Sequence, residues 1–264
     1  MPVPFGNLEI GVGADLSPNP DRIISDLQDR GIAISFLGET MSRAALYELG
    51  TQVGEPMPES PPMDELAYEG VVLKTDDIGF GEPLGMHVDL ALYPPDERPR
   101  FTMLGCKDAL PAGSGSDTLL CAMTGVVAAL TDRDREILGA SRQELADNGG
   151  LGSAPILSKY DGRDLVSYWS MGPYGETWTL QHPAEVTRQE ADAAVARLEG
   201  SMQDPDHVRR IPWRPGLIVA WDNSRFLHSR TPREEGAKAL PREIYRVRLL
   251  GGHAWGFAEM AENK

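Results

Sequence analysis

The chain has 264 residues, 41% of them hydrophobic, so it can bury a substantial core and is not expected to be disordered. Its net charge of −15 argues against nucleic acid or an anionic membrane as a partner. With only two cysteines, Cys106 and Cys121, and no signal sequence or membrane-length apolar run, we expect one domain over residues 1–264 in the reducing cytoplasm.

Helical and strand patterns alternate in the first third of the chain. Apolar residues at helical spacing predict helices over residues 20–29 and 39–50, with a short buried strand, GIAISFLG, between them. Residues 55–70 are rich in Pro and Glu and have no periodicity, so we expect a loop that closes over a site as a lid. Short β-like runs follow, namely VVLK, MHVDLALY, RFTMLGC and DTLLCAM.

The second half of the chain again mixes caps, turns and β-like runs. A helix is predicted to follow Thr131, because TDRD places an acidic residue three positions after this N-cap candidate. Residues 154–169 are predicted to be strands around the turn YDGRD, and TRQE (187–190) is a capping box for a helix that should stop at Gly200. With the final runs PGLIVAWDN and PREIYRVRLLGG, this order indicates a mainly β fold with flanking helices, a double-stranded β-helix of the jelly-roll or cupin type.

The segment GMHVDL (85–90) carries a histidine and a carboxylate two positions apart. If this segment is a strand, His87 and Asp89 point to the same face. One imidazole and one carboxylate are two of the three ligands of the facial triad that holds non-haem Fe(II). A lone HxD is more often a core histidine beside a surface aspartate, so a third ligand is needed to favour the metal.

Four other histidines are candidates for that third ligand. His228 is favoured, because it follows the apolar run LIVAW and an Asp-Asn turn, although taken alone it is equally an ordinary histidine at a strand end. His182 and His207 lie in loop-like sequence, and His253, after the last β-like run, is the weaker candidate.

A basic cluster occurs in PREIYRVR (241–248). Arg242, Arg246 and Arg248 on a strand could bind a dicarboxylate through bidentate ion pairs, or they could be solvated charges at the edge of an acidic protein. The Gly-rich segment PAGSGSDT (111–118) lacks the Lys-Ser/Thr of a phosphate-binding loop and does not indicate a nucleotide.

Taken in order, these segments resemble the taurine dioxygenase / clavaminate synthase-like family. The similarity lies in HVD, then GSDTL (115–119), then WDN…H, then REIYR, and spans about residues 80–255. The turn YDGR (160–163) also resembles a HPxTGR stretch common in that family. The glycine pair usual before Asp-Thr is here Gly115-Ser116, and the N-terminal segments that would identify the substrate match no pattern that we can name.

The resemblance implies an Fe(II)-dependent dioxygenase that uses 2-oxoglutarate and O2. The implied iron ligands, which are also the catalytic residues, are His87, Asp89 and His228. It further implies that Thr118 and Arg242 bind the distal carboxylate of 2-oxoglutarate, and that Arg246 reaches the substrate or the near end of the co-substrate. Related halogenases have a small residue in place of the aspartate, so a carboxylate there implies hydroxylation or another non-halogenating oxidation.

The substrate is predicted from Arg246. An inward arginine in an apolar barrel needs an anionic partner, which indicates a small carboxylate-bearing molecule, a free amino acid or a natural-product intermediate. Its amino or guanidinium group could meet acids of the predicted lid, most of which are otherwise expected to be solvated; these are Glu55, Glu59, Asp64 and Glu65. Two alternatives stay open, a jelly-roll metal enzyme of another class and a non-catalytic small-molecule binding protein, and a homo-oligomer is also left open.

Overall fold

The computed structural model describes residues 17–37, 41–57, 84–145, 154–170, 178–237, 240 and 242–251. Within these ranges the protein is mainly antiparallel β-sheet, accompanied by five α-helices. None of the helices in these ranges has the length and apolar character needed to cross a membrane.

Five α-helices are interspersed among thirteen strands in the described part of the chain. The helices are α1 (Pro20–Arg30), α2 (Arg43–Val53), α3 (Met123–Ala128), α4 (Asp132–Ala140) and α5 (Arg188–Met202). The strands are β1 (Ile32–Phe36), β2 (Glu55–Pro56), β3 (Leu84–His87), β4 (Phe101–Asp108), β5 (Thr118–Ala122), β6 (Arg142–Leu145), β7 (Leu157–Tyr160), β8 (Arg163–Val166), β9 (Trp178–Gln181), β10 (Val208–Ile211), β11 (Leu217–Asp222), β12 (Phe226–Arg230) and β13 (Glu243–Leu250).

Two sheets carry the described fold. The larger has the strand order β1-β11-β4-β13-β2, and the smaller has the order β10-β5-β12-β3, with every pairing antiparallel. One buried cluster joins them, because it contains Leu120 and Ile211 of the smaller sheet together with Trp221 and Ile244 of the larger. The two sheets therefore pack face to face, and burial of the indole of Trp221 is a large apolar contribution to that contact.

Side-chain alternation on β13 decides which of its residues face the space between the sheets. Ile244 belongs to the buried cluster that joins the sheets, whereas Tyr245 and Val247 belong to the cluster that includes residues of α1 and α2. Arg246 and Arg248 follow Ile244 at a spacing of two, so they face the space between the sheets. This confirms a strand in the run PREIYRVR, beginning at Glu243, and places Arg246 and Arg248 inside.

Most of the predicted helix and strand positions are confirmed. Both capping boxes form, Thr131 with Asp134 at α4 and Thr187 with Glu190 at α5. The predicted β-like runs confirmed as strands are β1, β4, β5, β7, β8, β11 and β13.

Three predicted helix boundaries are wrong, namely both ends of α2, which spans Arg43–Val53 rather than residues 39–50, and the end of α5. Helix α2 begins at Arg43, because Ser42 caps it through a hydrogen bond from the amide of Ala45. Helix α5 continues through Gly200 to Met202 and ends just before Asp204-Pro205, where the proline disfavours helical geometry in the preceding residue.

The predicted lid also needs a correction. Glu55 and Pro56 are not loop residues but form the edge strand β2, paired with the end of β13. The remainder of that segment and the run VVLK lie outside the described residues, apart from Met57.

Candidate active site

Two histidines and one aspartate converge between the sheets. His87 is the last residue of β3, His228 lies in β12, and the two residues are direct partners in the antiparallel register. Their ring centroids are 4.1 Å apart. One potential ligand atom from each of His87, Asp89 and His228 lies within 4.8 Å of the others, and this cluster is mostly buried.

The local structure fixes the orientation of the His87 ring. Its Nδ1 is 2.8 Å from the carbonyl oxygen of Gly85, which can only accept, so Nδ1 carries the proton and Nε2 keeps a lone pair for a metal. Glycine is required at position 85, because a Cβ there would lie 2.6 Å from the backbone carbonyl oxygen of Ser170. Burial lowers the pKa of His87, so the imidazole is neutral at physiological pH.

His228 is the second imidazole and has an unsatisfied nitrogen. Its Nδ1 is buried and makes no hydrogen bond to any residue that the structure describes. The ring lies against Trp221, with centroids 4.9 Å apart. Burial, with the neighbouring His87, holds the pKa of His228 well below its usual value. A neutral imidazole is the form that binds a metal.

Asp89 reaches the cluster in a different way from the one predicted. Strand β3 ends at His87, and Asp89 lies in the following turn, next to Leu90 at a φ of 57°. The strand premise for the HxD spacing is therefore wrong. The carboxylate is instead held by partners on other strands, because Thr102 Oγ1 donates to Oδ2 at 2.7 Å and Arg248 Nη2 donates to Oδ1 at 3.0 Å.

The charge of Asp89 is stabilised by these neighbours. Burial alone would raise the pKa of Asp89, but the cation of Arg248, with other nearby charges, outweighs burial and holds the pKa well below its usual value. Arg246 also approaches, with Nη1 3.8 Å from Oδ1 of Asp89. Two neutral imidazoles and one ionised carboxylate are the donor set that fits Fe(II) and leaves coordination positions open.

A second group of polar residues lies further along the same strands. Thr118 on β5 is the register partner of Arg230 on β12, and its Oγ1 accepts a hydrogen bond from Nε1 of Trp213 at 3.0 Å. Because that oxygen is used as an acceptor, its own proton is left to donate to another group.

Arg242, just before β13, is a buried cation with no partner among the residues described. It is 6% exposed and makes no hydrogen bond or ion pair with any described residue. Burial and the nearby charge of Arg230 lower its pKa to about 10, so it is still charged at neutral pH. An unpaired buried charge is strongly unfavourable, so this position is prepared for an anion.

Comparison with known proteins decides the family. The model of the taurine catabolism dioxygenase TauD, TfdA family matches residues 15–248. The chain belongs to the taurine catabolism dioxygenase TauD, TfdA family. The match confirms the family resemblance and includes the histidine, aspartate and arginine segments described above.

Individual relatives of this TauD/TfdA protein are distant. It is 24% identical over 162 residues to 3-((Z)-2-isocyanoethenyl)-1H-indole synthase of Fischerella ambigua (strain UTEX 1903), and the match covers 58% of each chain. The crystal structure of PvcB from Pseudomonas aeruginosa is similar with a TM-score of 0.68 and 16% identity, over 88% of this chain and 80% of PvcB. A structure of asparagine oxygenase with Fe(II), 3-hydroxyasparagine and succinate has a TM-score of 0.64 and 17% identity, over 88% and 79% of the two chains.

The other histidines of this TauD/TfdA protein contribute nothing to the cluster within the described residues. Nδ1 of His182 lies 3.1 Å from the carbonyl of Pro183, and Nδ1 of His207 lies 3.2 Å from that of Ser201, so both make local contacts. His253, the weaker ligand candidate, lies outside the described residues.

Three residues near the site were not singled out from the sequence. Thr102 and Asn223 both contact Asp89, and Arg230 neighbours Thr118 and Arg242. Asn223 belongs to the WDN motif and could have been found there. Nothing distinguishes Thr102 from an ordinary strand threonine in the sequence.

Proposed function

We propose that this protein is an oxygenase in which His87, Asp89 and His228 bind Fe(II), and which oxidises a small carboxylate-bearing molecule. The observation that carries the proposal is the convergence of two neutral imidazoles and one ionised carboxylate within 4.8 Å between the sheets. When bound there, Fe(II) supplies oxygen activation coupled to decarboxylation of 2-oxoglutarate to succinate. The protein excludes water and fixes the positions of the reactants.

Thr118 and Arg242 are proposed to bind the distal carboxylate of 2-oxoglutarate. The buried side chain of Arg242 pairs with no residue that the structure describes, and its planar fork matches a carboxylate bidentately. The hydroxyl of Thr118, already held by Trp213, has a proton to donate to the same group. Arg230 adds a nearby positive charge that favours a dianion.

The charge of the interior supports an anionic substrate. Around the site, the described residues include four arginines, Arg230, Arg242, Arg246 and Arg248, and the nearby carboxylates of Asp89 and Asp117. Bound iron would add positive charge, and 2-oxoglutarate would neutralise only part of the total. A carboxylate on the substrate would therefore bring the net charge of the interior closer to zero. Arg246, 3.8 Å from Asp89, is the proposed partner.

The distant relatives agree with a substrate of this class. One structural neighbour, asparagine oxygenase, was solved with a hydroxylated amino acid, and PvcB is described as an oxygenase of an isonitrile synthetic pathway. A free amino acid or a natural-product intermediate is therefore the substrate class that we propose for this chain.

We also infer that the two sheets form one double-stranded β-helix domain. Within the runs β3 to β5 and β10 to β13, successive strands alternate between the facing sheets, because β3, β5, β10 and β12 belong to the smaller sheet and β4, β11 and β13 to the larger. Such alternation is typical of a jelly roll, whose interior provides a dry site between the sheets.

The metal and co-substrate proposal predicts a spectroscopic result. Anaerobic addition of Fe(II) and 2-oxoglutarate together should produce a weak visible charge-transfer band, because the keto acid chelates the metal. Fe(II) with succinate, which has no keto group, is the matched control and should produce none. Absence of the band with 2-oxoglutarate would favour a metal enzyme of another class or a binding protein.

The substrate proposal predicts selective stimulation of oxygen uptake. Amino acids should stimulate uptake in the presence of Fe(II) and 2-oxoglutarate, whereas the decarboxylated amines and the neutral amides of the same compounds should not, because they lack a group to pair with Arg246. Stimulation by amines or amides, with none by any carboxylate, would rule out the anionic anchor and make Arg246 a second co-substrate residue.

A further inference from the structure

The backbone of Asp89 is held by a side chain rather than by a neighbouring strand. Because β3 ends at His87, no sheet pairing with the described strands orients Asp89. Its amide instead donates to Oδ1 of Asn223 at 2.9 Å, and Nδ2 of Asn223 donates to the Asp89 carbonyl at 3.1 Å. The side-chain amide of Asn223 thus makes the two hydrogen bonds to Asp89 that a peptide group of a neighbouring strand would otherwise make. With the Asn223 side chain buried, both bonds are shielded from water.

Asn223 is itself fixed to the larger sheet. Its backbone amide donates to the carbonyl of Arg100 at 2.8 Å, and its Nδ2 also reaches the carbonyl of Pro99 at 3.1 Å. The preceding Asp222 is 1% exposed and pairs with Arg100 at 3.0 Å. The turn that carries Asn223 is therefore anchored to the start of β4, so it can hold Asp89 rigidly.

Thr102 fixes the remaining degree of freedom, the rotation of the carboxylate group. Its side chain is buried on β4, and its Oγ1 donates to Oδ2 of Asp89 at 2.7 Å. The terminal torsion of an aspartate is soft, so the plane of its carboxylate depends on such contacts. Arg248 holds the other oxygen, Oδ1, at 3.0 Å.

We propose that Thr102 and Asn223 are positioning residues that hold Asp89 ready to bind a metal ion, and that they thereby set the metal affinity of the site. The inference rests on the proposed function, in which Asp89 is an iron ligand. Asn223 fixes the backbone position of Asp89, and Thr102 fixes the orientation of the Asp89 carboxylate. Partners of this kind typically change metal affinity by about 10–100-fold when they are removed.

Thr102 allows the cleaner test, because it is neutral, whereas loss of Arg248 would remove a charge together with a hydrogen bond. Thr102→Val keeps the shape and removes the hydroxyl, and Thr102→Ser keeps the hydroxyl. Each full-length protein is titrated anaerobically with Co²⁺ alone, with the visible absorption of the bound ion as readout and Tm measured in parallel. We expect Thr102→Val to weaken Co²⁺ binding by about 10-fold or more and Thr102→Ser to bind like the wild type.

Asn223→Ala extends the test to the backbone contact and should also weaken Co²⁺ binding. Asp89→Ala separates this inference from the proposed function. If Asp89→Ala binds Co²⁺ as well as the wild type does, the assignment of the ligand is wrong and the proposed function fails with it. If Asp89→Ala loses binding while Thr102→Val binds like the wild type, only the positioning inference is overturned. Equal weakening by Thr102→Ser and Thr102→Val would also overturn it, since the hydroxyl would then not be the cause.

Discussion

Replacing His228 by alanine is expected to abolish turnover while the protein stays folded. The imidazole is neutral, its Nδ1 has no partner among the described residues, and it lies directly opposite His87 across two strands. Removing a metal ligand should have a larger effect than removing a residue that is hydrogen-bonded to a ligand. We therefore expect turnover to decrease by more than about 100-fold. His87→Ala and Asp89→Ala should have the same effect. The measurement is succinate formation at saturating Fe(II), with circular dichroism to verify folding.

His182→Ala is the matched control for this experiment. His182 is also partly buried, but its Nδ1 contacts the adjacent carbonyl of Pro183 and it has no place in the cluster. It should keep wild-type turnover. The competing candidate is His253. If His228→Ala retained near-normal activity and His253→Ala did not, the third ligand would be misassigned.

The ligand residues could be proposed from the sequence because their chemical types are distinctive. HxD and a later histidine after an apolar strand specify two imidazoles and a carboxylate, whatever their exact surroundings. The pairing of His87 with His228 could not be predicted from the sequence, because the register of two strands so far apart in the chain depends on tertiary packing.

The orientation of Asp89 was predicted for a wrong reason. Strand alternation was expected to place Asp89 beside His87. Strand β3 ends at that histidine, however, and a hydrogen bond to Asn223 holds the backbone of Asp89 instead. Buried contacts of this kind form between segments far apart in the chain, and they cannot be predicted from the local sequence pattern of either segment. For the same reason Thr102 could not be recognised before the structure placed its hydroxyl on the carboxylate.

The fold was predictable where local chemistry decides it. Capping boxes and periodicity located the starts of α4 and α5, and the apolar runs located most long strands. The short elements α3, β6, β9, β10 and β12 were missed. Their few residues provide too little pattern, and the strands among them are stabilised by pairing with other strands rather than by intrinsic preference.

Replacing Arg242 by lysine is expected to weaken 2-oxoglutarate binding by well over tenfold. Arg242 is the buried cation that no described residue pairs, whereas Arg248 already donates to Asp89. Lysine preserves the charge but cannot reproduce the two parallel hydrogen bonds of a guanidinium to a carboxylate. Truncation of one partner of a buried, hydrogen-bonded charge pair typically costs about 2–5 kcal/mol, and each 1.4 kcal/mol corresponds to a factor of about ten in affinity.

The measurement for Arg242→Lys is an anaerobic titration of the Fe(II)-loaded protein with 2-oxoglutarate, followed by the charge-transfer band, so that no substrate needs to be known. Arg188→Lys is the matched control, because Arg188 is exposed on α5 and pairs there with Asp192, and it should leave the dissociation constant unchanged. A parallel Co²⁺ titration should show normal metal binding in Arg242→Lys, since Arg242 does not contact the cluster of His87, Asp89 and His228. An unchanged dissociation constant for 2-oxoglutarate in Arg242→Lys would move the co-substrate role to Arg246 or Arg248. Weakened Co²⁺ binding would instead mean that the substitution disturbs the metal ligands themselves.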